Sequence, residues 1–348
     1  MTGFGRPGSS STGVYALRMD RPHLETVAWT PPKDSGLTGS FASNTHLAAA
    51  RRLPVPGQGP EDVAVDEGGR LIYGLAEGRV MSAAPDGSDH RLIADTGGRP
   101  LGIEIHPDGR IVVCDARLGL LAVAGENFEV LAGSFEGVPL VFTNNAAIGD
   151  DGSIYFTVTS TRFGLEHFRA DLLEHSNTGR LFRRHPDGSL ELLIDGLSFA
   201  NGVALSSNGT GVFVAETGEY RISRHHLTGP RAGTTDVFVD NLPGVPDNLT
   251  SNRQGTIWAG MFTPRNKPLD LLLPRPRLRE LVARLPENLQ PQPARHGFVV
   301  GFDEATGAVT HNLQDPAGGY APITSAREHE GHLWLGSLTE PALATISL

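Results

Sequence analysis

Short apolar runs recur along the chain in pairs, each pair hinged at a glycine. The first begins Pro60-Glu61-Asp62-Val63, turns at Gly69 and resumes as Leu71-Ile72-Tyr73. Five more repeat the form. They open on Pro100-Leu101-Gly102-Ile103, Thr143-Asn144-Asn145-Ala146, Ala200-Asn201-Gly202-Val203, Pro246-Asp247-Asn248-Leu249 and Thr324-Ser325-Ala326, and turn at Gly109, Gly152, Gly209, Gly255 and Gly331. Runs this short, rich in β-branched and aromatic residues and bounded by turns, predict strands and not helices. Repeats of roughly 40–50 residues built from short strands predict one propeller blade each. The expected architecture is all-β, a six-bladed β-propeller.

Two stretches break the repeat. Phe163-Gly164-Leu165-Glu166-His167-Phe168-Arg169-Ala170-Asp171-Leu172-Leu173 has apolar residues at helical spacing, and Leu278-Arg279-Glu280-Leu281-Val282-Ala283-Arg284-Leu285 is a helical octet bounded by prolines. Insertions in a repeat architecture fall on its faces, so these predict short helices on one face, as a lid over a site or as a structural plug or contact surface. Residues 1–34 read as a flexible N-terminal segment, with Gly3-Phe4-Gly5-Arg6-Pro7-Gly8 the clearest part, and residues 35–348 as the propeller.

Composition adds little to this and removes some functions. With 348 residues, 39% hydrophobic and 43 glycines, the chain suits many short strands closed into one ring. Its net charge of −10 argues against a nucleic-acid partner. No window is apolar enough for a signal, an anchor or a membrane span, and the single Cys114, inside Ile111-Val112-Val113-Cys114, reads as a small buried hydrophobe. A cytoplasmic protein without a membrane partner is the expectation.

The chemistry sits at the start of the repeats. Glu61, Asn144, Asn201 and Asp247 hold the same phase of four blades, and equivalent positions of a propeller point at one axis. Asn248 stands beside them. Two carboxylates and two or three amide oxygens, with no thiolate or imidazole among them, suit Ca²⁺ or another hard divalent cation such as Mg²⁺. Each residue alone also reads as an ordinary turn residue. Their common phase is what makes a metal site.

The motifs Gly59-Pro60-Glu61-Asp62, Phe142-Thr143-Asn144-Asn145, Phe199-Ala200-Asn201-Gly202-Val203 and Pro246-Asp247-Asn248 resemble those of strictosidine synthase-like proteins, within the superfamily of SMP-30 gluconolactonases and paraoxonases. The closing stretch Glu328-His329-Glu330-Gly331-His332-Leu333-Trp334 is similar too, and the resemblance covers residues 35–348. It implies a six-bladed propeller with a central Ca²⁺ held by Glu61, Asn144, Asn201 and Asp247, and Asn248 as a fifth ligand. It also implies Asp247 as the residue that orients or deprotonates water, with Glu61 the other carboxylate at the metal. Three departures matter. Asn145 stands where paraoxonases have an acid for a second ion, although Asp62 matches. Arg99-Pro100-Leu101-Gly102 lacks the paraoxonase histidine, and Tyr320-Ala321-Pro322-Ile323 lacks the glutamate of strictosidine synthase.

The leading expectation is a Ca²⁺-dependent hydrolase of a lactone or ester acting on a small carbonyl substrate. A non-hydrolytic biosynthetic enzyme, using the metal for cyclisation, isomerisation or condensation, is the alternative. A binding propeller with a purely structural ion is a third. Leu101, Phe163, His167 and Tyr320 are candidate substrate contacts, and His175 could also reach the axis. His106, His185 and the pair His225-His226 lie in turn contexts expected at the surface. No Gly-x-Ser-x-Gly elbow occurs in a strand–turn–helix setting.

Overall fold

The computed structural model describes residues 22–348. Most of residues 1–34, the expected flexible segment, therefore lies outside the described residues. Six four-stranded antiparallel sheets form the ring. Five are built from consecutive strands, and their first strands run Val63–Val65, Pro100–Ile105, Thr143–Ile148, Ala200–Leu205 and Gly244–Ser251. The sixth blade starts at Ser325–His329 and takes its fourth strand from Arg51–Pro54, which pairs antiparallel with Ala342–Ser347. The two ends of the propeller are thus stitched by main-chain hydrogen bonds, which leave only a short outer edge at the join.

The first strands of successive blades pack against one another, so they are the innermost layer. The burial pattern shows why these sequences take that place. Ala200–Leu205 and the following strand Gly211–Glu216 are buried at every residue, while the outer strand Thr235–Val239 has no buried residue. Core clusters bridge neighbouring blades. In one, Phe213 and Ile222 of the fourth blade join Ile257, Phe298 and Phe302 of the fifth. Cys114 lies in such a cluster, and burial pushes its thiol well up, which makes it inert as a nucleophile.

Both expected helical insertions form helices. The first holds α1 (Phe168–Glu174) after a single 3₁₀ turn. The second holds α2 (Lys267–Leu272), which the sequence pattern missed, and α3 (Pro276–Ala283). Asn266 caps α2 by accepting from the Leu269 N–H, with Pro268 inside its first turn. The helices pack together, α1 and α2 each against α3. Residues 22–34 carry no regular element and cross this layer. Val27 N donates to Glu174 O at 2.9 Å, Arg265 Nη2 donates to Pro32 O at 2.8 Å, and Leu24 packs on Leu173 and Phe163. None of the described helices is long and apolar enough to cross a membrane.

Two histidines differ from the surface or axial places expected of them. His225 is 4% exposed because its ring turns under the outer strand, with Nδ1 2.9 Å from Thr235 Oγ1. His175 ends α1 in the left-handed region, φ 57°, and stacks on Trp29 at 4.5 Å between centroids, away from the axial cavity. Burial first, then the Arg279 and Arg221 charges, lower its pKa from 6.5 to about 4.

The sign of the linkage follows. A histidine whose folded pKa is depressed gives stability that is full above its unfolded value of 6.5 and is lost as pH falls from there toward 4. The unfolding midpoint in urea therefore drops between pH 7 and pH 5. His175→Asn, which keeps a residue tolerant of positive φ, flattens that part of the dependence. Equal slopes in the two proteins would show that the Trp29–His175 stack does not carry it.

Candidate metal centre

A shared irregularity of the inner strands builds the site. Four blades carry the same one-residue bulge. Pro100 pairs with Asp115 and Ile103 with Val113, so three steps on the inner strand meet two on its neighbour. The same count separates Thr143 from Ala146, Ala200 from Val203 and Pro246 from Leu249. A bulge re-aims the side chain it carries. The residue after each anchor is Leu101, Asn144, Asn201 or Asp247, and all four line one cavity at the axis together with Glu61 and Thr324.

Close approach between inner strands is needed for this. A Cβ on Gly202 would lie 2.1 Å from the Leu249 nitrogen and 2.5 Å from the Asp247 oxygen, and one on Gly102 would lie 2.6 Å from the Asn145 Cα. Glycine in the bulges of the second and fourth blades lets the next blade's bulge, Asn144-Asn145 or Asp247-Asn248, come against the strand.

The amides are oriented by threonines that the sequence reading passed over. Asn144 Nδ2 donates to Thr159 Oγ1 at 2.9 Å, and Asn201 Nδ2 donates to Thr217 Oγ1 at 3.1 Å. Asn248 Nδ2 donates to Glu61 Oε1 at 2.8 Å. With each nitrogen engaged, Asn144 Oδ1, Asn201 Oδ1, Asn248 Oδ1 and Glu61 Oε2 are left buried with no hydrogen-bond partner. Thr159 and Thr217 both close the second strand of their blade, 15 and 16 residues after the asparagine they hold. That spacing was the available signal.

Electrostatics point the same way. Burial raises the Glu61 carboxyl well above its ordinary value, and the Asp247 and Asp62 charges add to this. Asp247 is pushed up to about 7, chiefly by burial, and the Asn201 amide beside it opposes the shift. Two desolvated carboxylates next to three unpartnered amide oxygens form an environment short of positive charge, with only Arg99 opposing the shift of Glu61. The donor set fits a hard divalent cation. Among the described residues no cluster of three or more histidine, cysteine, aspartate or glutamate side chains is placed to hold a metal. The cradle is rich in amides instead.

Deeper along the axis the chemistry differs. Asp62 accepts from Val63 N at 2.8 Å and Ile103 N at 3.1 Å, and Asn145 Oδ1 accepts from Val203 N at 2.8 Å. Burial raises the Asp62 carboxyl above its ordinary value, and the Arg327 guanidinium, which is bonded to Glu104, opposes that shift. These groups are satisfied by protein donors and by a built-in cation, so Asp62 and Asn145 do not fit a second metal ion. Arg99 plays a related part above them. It is 4% exposed, donates to Gly59 O at 2.9 Å and opposes the upward shift of Glu61.

Over the cradle lies an apolar cavity of about 80 Å³. Leu101, Phe142 and Phe199 form its wall, and Leu165, Phe168 and Leu172 of the first insertion roof it. Of the four candidate substrate contacts, the structure brings Leu101 there. Phe163 packs instead with Leu24 and Leu173, because the chain enters α1 from the side of the N-terminal segment. Tyr320 is buried in the sixth blade, its hydroxyl donating to Leu335 O and Ala342 O. His167 is partly exposed on the turn before α1 and is not among the cavity's lining residues, whereas Phe168 and Leu172, four apart, face the cavity.

Thr217→Val removes the acceptor that fixes Asn201 and frees its amide to rotate. Calcium affinity measured by titration calorimetry should fall about 10- to 100-fold, the usual cost of losing a partner that orients a ligand. An unchanged isotherm would show that Asn201 is positioned by something else.

Comparison with known proteins bears on this arrangement. Residues 144–230 match the strictosidine synthase family model, and residues 39–83 match that of the strictosidine synthase-like N-terminal region. The adipocyte plasma membrane-associated protein of Homo sapiens is 35% identical over 90% of this chain and 81% of its own. Protein strictosidine synthase-like 10 of Arabidopsis thaliana is 34% identical over 96% of both. Among solved structures, a gluconolactonase from Xanthomonas campestris superposes with a TM-score of 0.64 at 18% identity, covering 86% of this chain and 89% of its own. The calcium-binding protein regucalcin from Agrobacterium tumefaciens gives 0.59 at 14%, covering 86% and 93%. At such identities the structural likeness is one of fold. The full-length sequence matches settle the family: this chain is a member of the strictosidine synthase-like proteins.

Proposed function

We propose that the protein is a hydrolase of a lactone or ester that depends on a divalent cation, with calcium the ion its donors suit. One observation carries the reading. Four blades each supply a buried oxygen without a partner; three of these belong to Glu61, Asn144 and Asn201, which line the apolar cavity, and the fourth to Asn248, which bonds Glu61. Glu61, Asn144, Asn201, Asp247 and Asn248 would hold the ion, a set of hard oxygens that leaves room in a shell of six to eight for water and substrate. When bound, the ion supplies Lewis acidity toward a substrate carbonyl and makes a neighbouring water more acidic.

The protein groups do the rest. Asp247 lines the cavity and is the carboxylate placed to orient water and take its proton. Glu61 Oε1 accepts from the Asn248 amide and the side chain is thereby fixed, a ligand more than a base. Beside a bound cation, Glu61 and Asp247 would both be held in their charged form. Leu165, Phe168 and Leu172 keep bulk water out, so the charges act in a low dielectric.

A second reading has one observation in its favour. Glu61 and Asp247, both in the ligand set, are the ionisable groups lining the cavity. A site with no separate acid or base could also organise a carbonyl substrate for a non-hydrolytic cyclisation or isomerisation. The same fact counts against amine–aldehyde condensation, which needs its own proton donor and acceptor.

Phenyl acetate and a set of γ-lactones, assayed with calcium, with chelator and with Asp247→Asn, decide between the two. The hydrolase reading expects calcium-dependent turnover that falls roughly 100-fold or more in both controls. Protein shown to contain calcium that turns over none of them moves the assignment to the non-hydrolytic step.

A further inference from the structure

A second cavity, of about 130 Å³, adjoins the first. The two share Phe168 and Leu172 of α1 with Val245 and Phe262 of the fifth blade, so these four side chains are both the far wall of the axial cavity and the near wall of the next. All four are partly accessible though apolar, and their open surface is turned to the cavities. The second cavity continues away from the axis beneath α2, ending against Leu269, Pro291 and Pro293.

The polar groups of this second wall already have partners. The Tyr220 hydroxyl donates to Asp270 Oδ1 at 2.9 Å, and Thr263 donates to Ala294 O at 3.2 Å. Asn266 is used at both ends, capping α2 and donating to Gln292 O at 2.8 Å. Arg169 donates through Nη2 to Gln292 Oε1 at 3.3 Å, while its buried Nη1 has no partner and its guanidinium lies 5.8 Å from the Phe168 ring centroid. Apart from that one donor, the wall asks nothing polar of a ligand. Binding there rests on apolar contact.

We infer that the second cavity is a tail subsite, and that the substrate is a carbonyl compound with a long unbranched or aryl-alkyl apolar arm, not a small polar lactone. The carbonyl sits over the cradle and the arm passes between Phe168, Leu172, Val245 and Phe262 toward Leu269. This rests on the proposed binding of a carbonyl at the axial site, and it does not require that the reaction be hydrolysis. Phe168 and Leu172 come from the first insertion, Leu269, Pro291 and Pro293 from the second, so both insertions serve specificity.

Two measurements on the calcium-loaded protein test it. In the first, kcat/KM is compared along p-nitrophenyl esters from acetate to decanoate. It should rise roughly three- to fourfold per added methylene over the middle of the series, the gain expected for burying each one. Leu269→Trp, and independently Pro291→Trp, fill the far end of the subsite and should lower the decanoate-to-acetate ratio about tenfold or more, a readout that general loss of fold does not mimic. In the second, 2-butanone and 2-decanone, carbonyl compounds that cannot be hydrolysed, are titrated calorimetrically. Tighter binding of 2-decanone, abolished by both variants, supports the tail subsite even if no ester is turned over, which would remove the hydrolase reading alone. Turnover that is flat in chain length, with equal binding of both ketones, overturns the subsite and leaves hydrolysis standing.

Discussion

A carbonyl or carboxylate oxygen buried without a donor is costly, of order 1–3 kcal/mol each, and here four such oxygens are gathered around one axis. Nothing in an isolated blade requires that cost. It arises because closing the ring brings Glu61, Asn144, Asn201 and Asn248 together with their nitrogens or second oxygens already bonded elsewhere. The closure itself depends on Arg51–Pro54 completing the last blade. A cradle held this firmly is preorganised for a cation. The ring around it is stiff enough to keep the lone pairs aimed inward when a softer fold would rotate them away.

The same axis shows two ways of supplying positive charge. Near the cavity the oxygens have no protein donor. Deeper down Arg327 lies between Asp62 and Glu104, and the backbone amides of Val63, Ile103 and Val203 complete the set. A permanently charged guanidinium in the lower position holds Glu104 and the Val63 carbonyl without any ligand. The upper position has no such guanidinium bonded to its free oxygens. This division of labour explains why Asn145, a neutral residue, is sufficient where a metal site would call for an acid.

Above the axis, the insertions set what can reach the cradle. α1 turns Phe168 and Leu172 to the cavity and buries Leu173 and Glu174 on its other side, where Glu174 holds Arg162 and the backbone of residues 25 and 27. The roof is therefore braced from outside by the N-terminal segment and by α3. Its stability is coupled to His175 and Trp29, groups far from the chemistry in sequence and in space.

Much of this was written in the pattern of the chain. Six glycine-hinged pairs of apolar runs determined the blade number, because strand length, turn chemistry and periodicity are local properties. The phase of Glu61, Asn144, Asn201 and Asp247 marked the axis for the same reason. Leu101 was found at that phase, and the helical spacing in both insertions gave α1 and α3. Phe163 and Tyr320 share the apolar character of Leu101, and such residues suit a blade core as well as a cavity wall. Which one they enter depends on partners such as Leu24 or Leu335, distant in sequence. The orientation of each amide, the bulge that turns its side chain to the axis, the guanidinium in the deeper position and the joining of two cavities across Phe168 and Phe262 were decided only in three dimensions. A hydrogen bond such as Asn248 to Glu61, spanning 187 residues, exists because the ring closes.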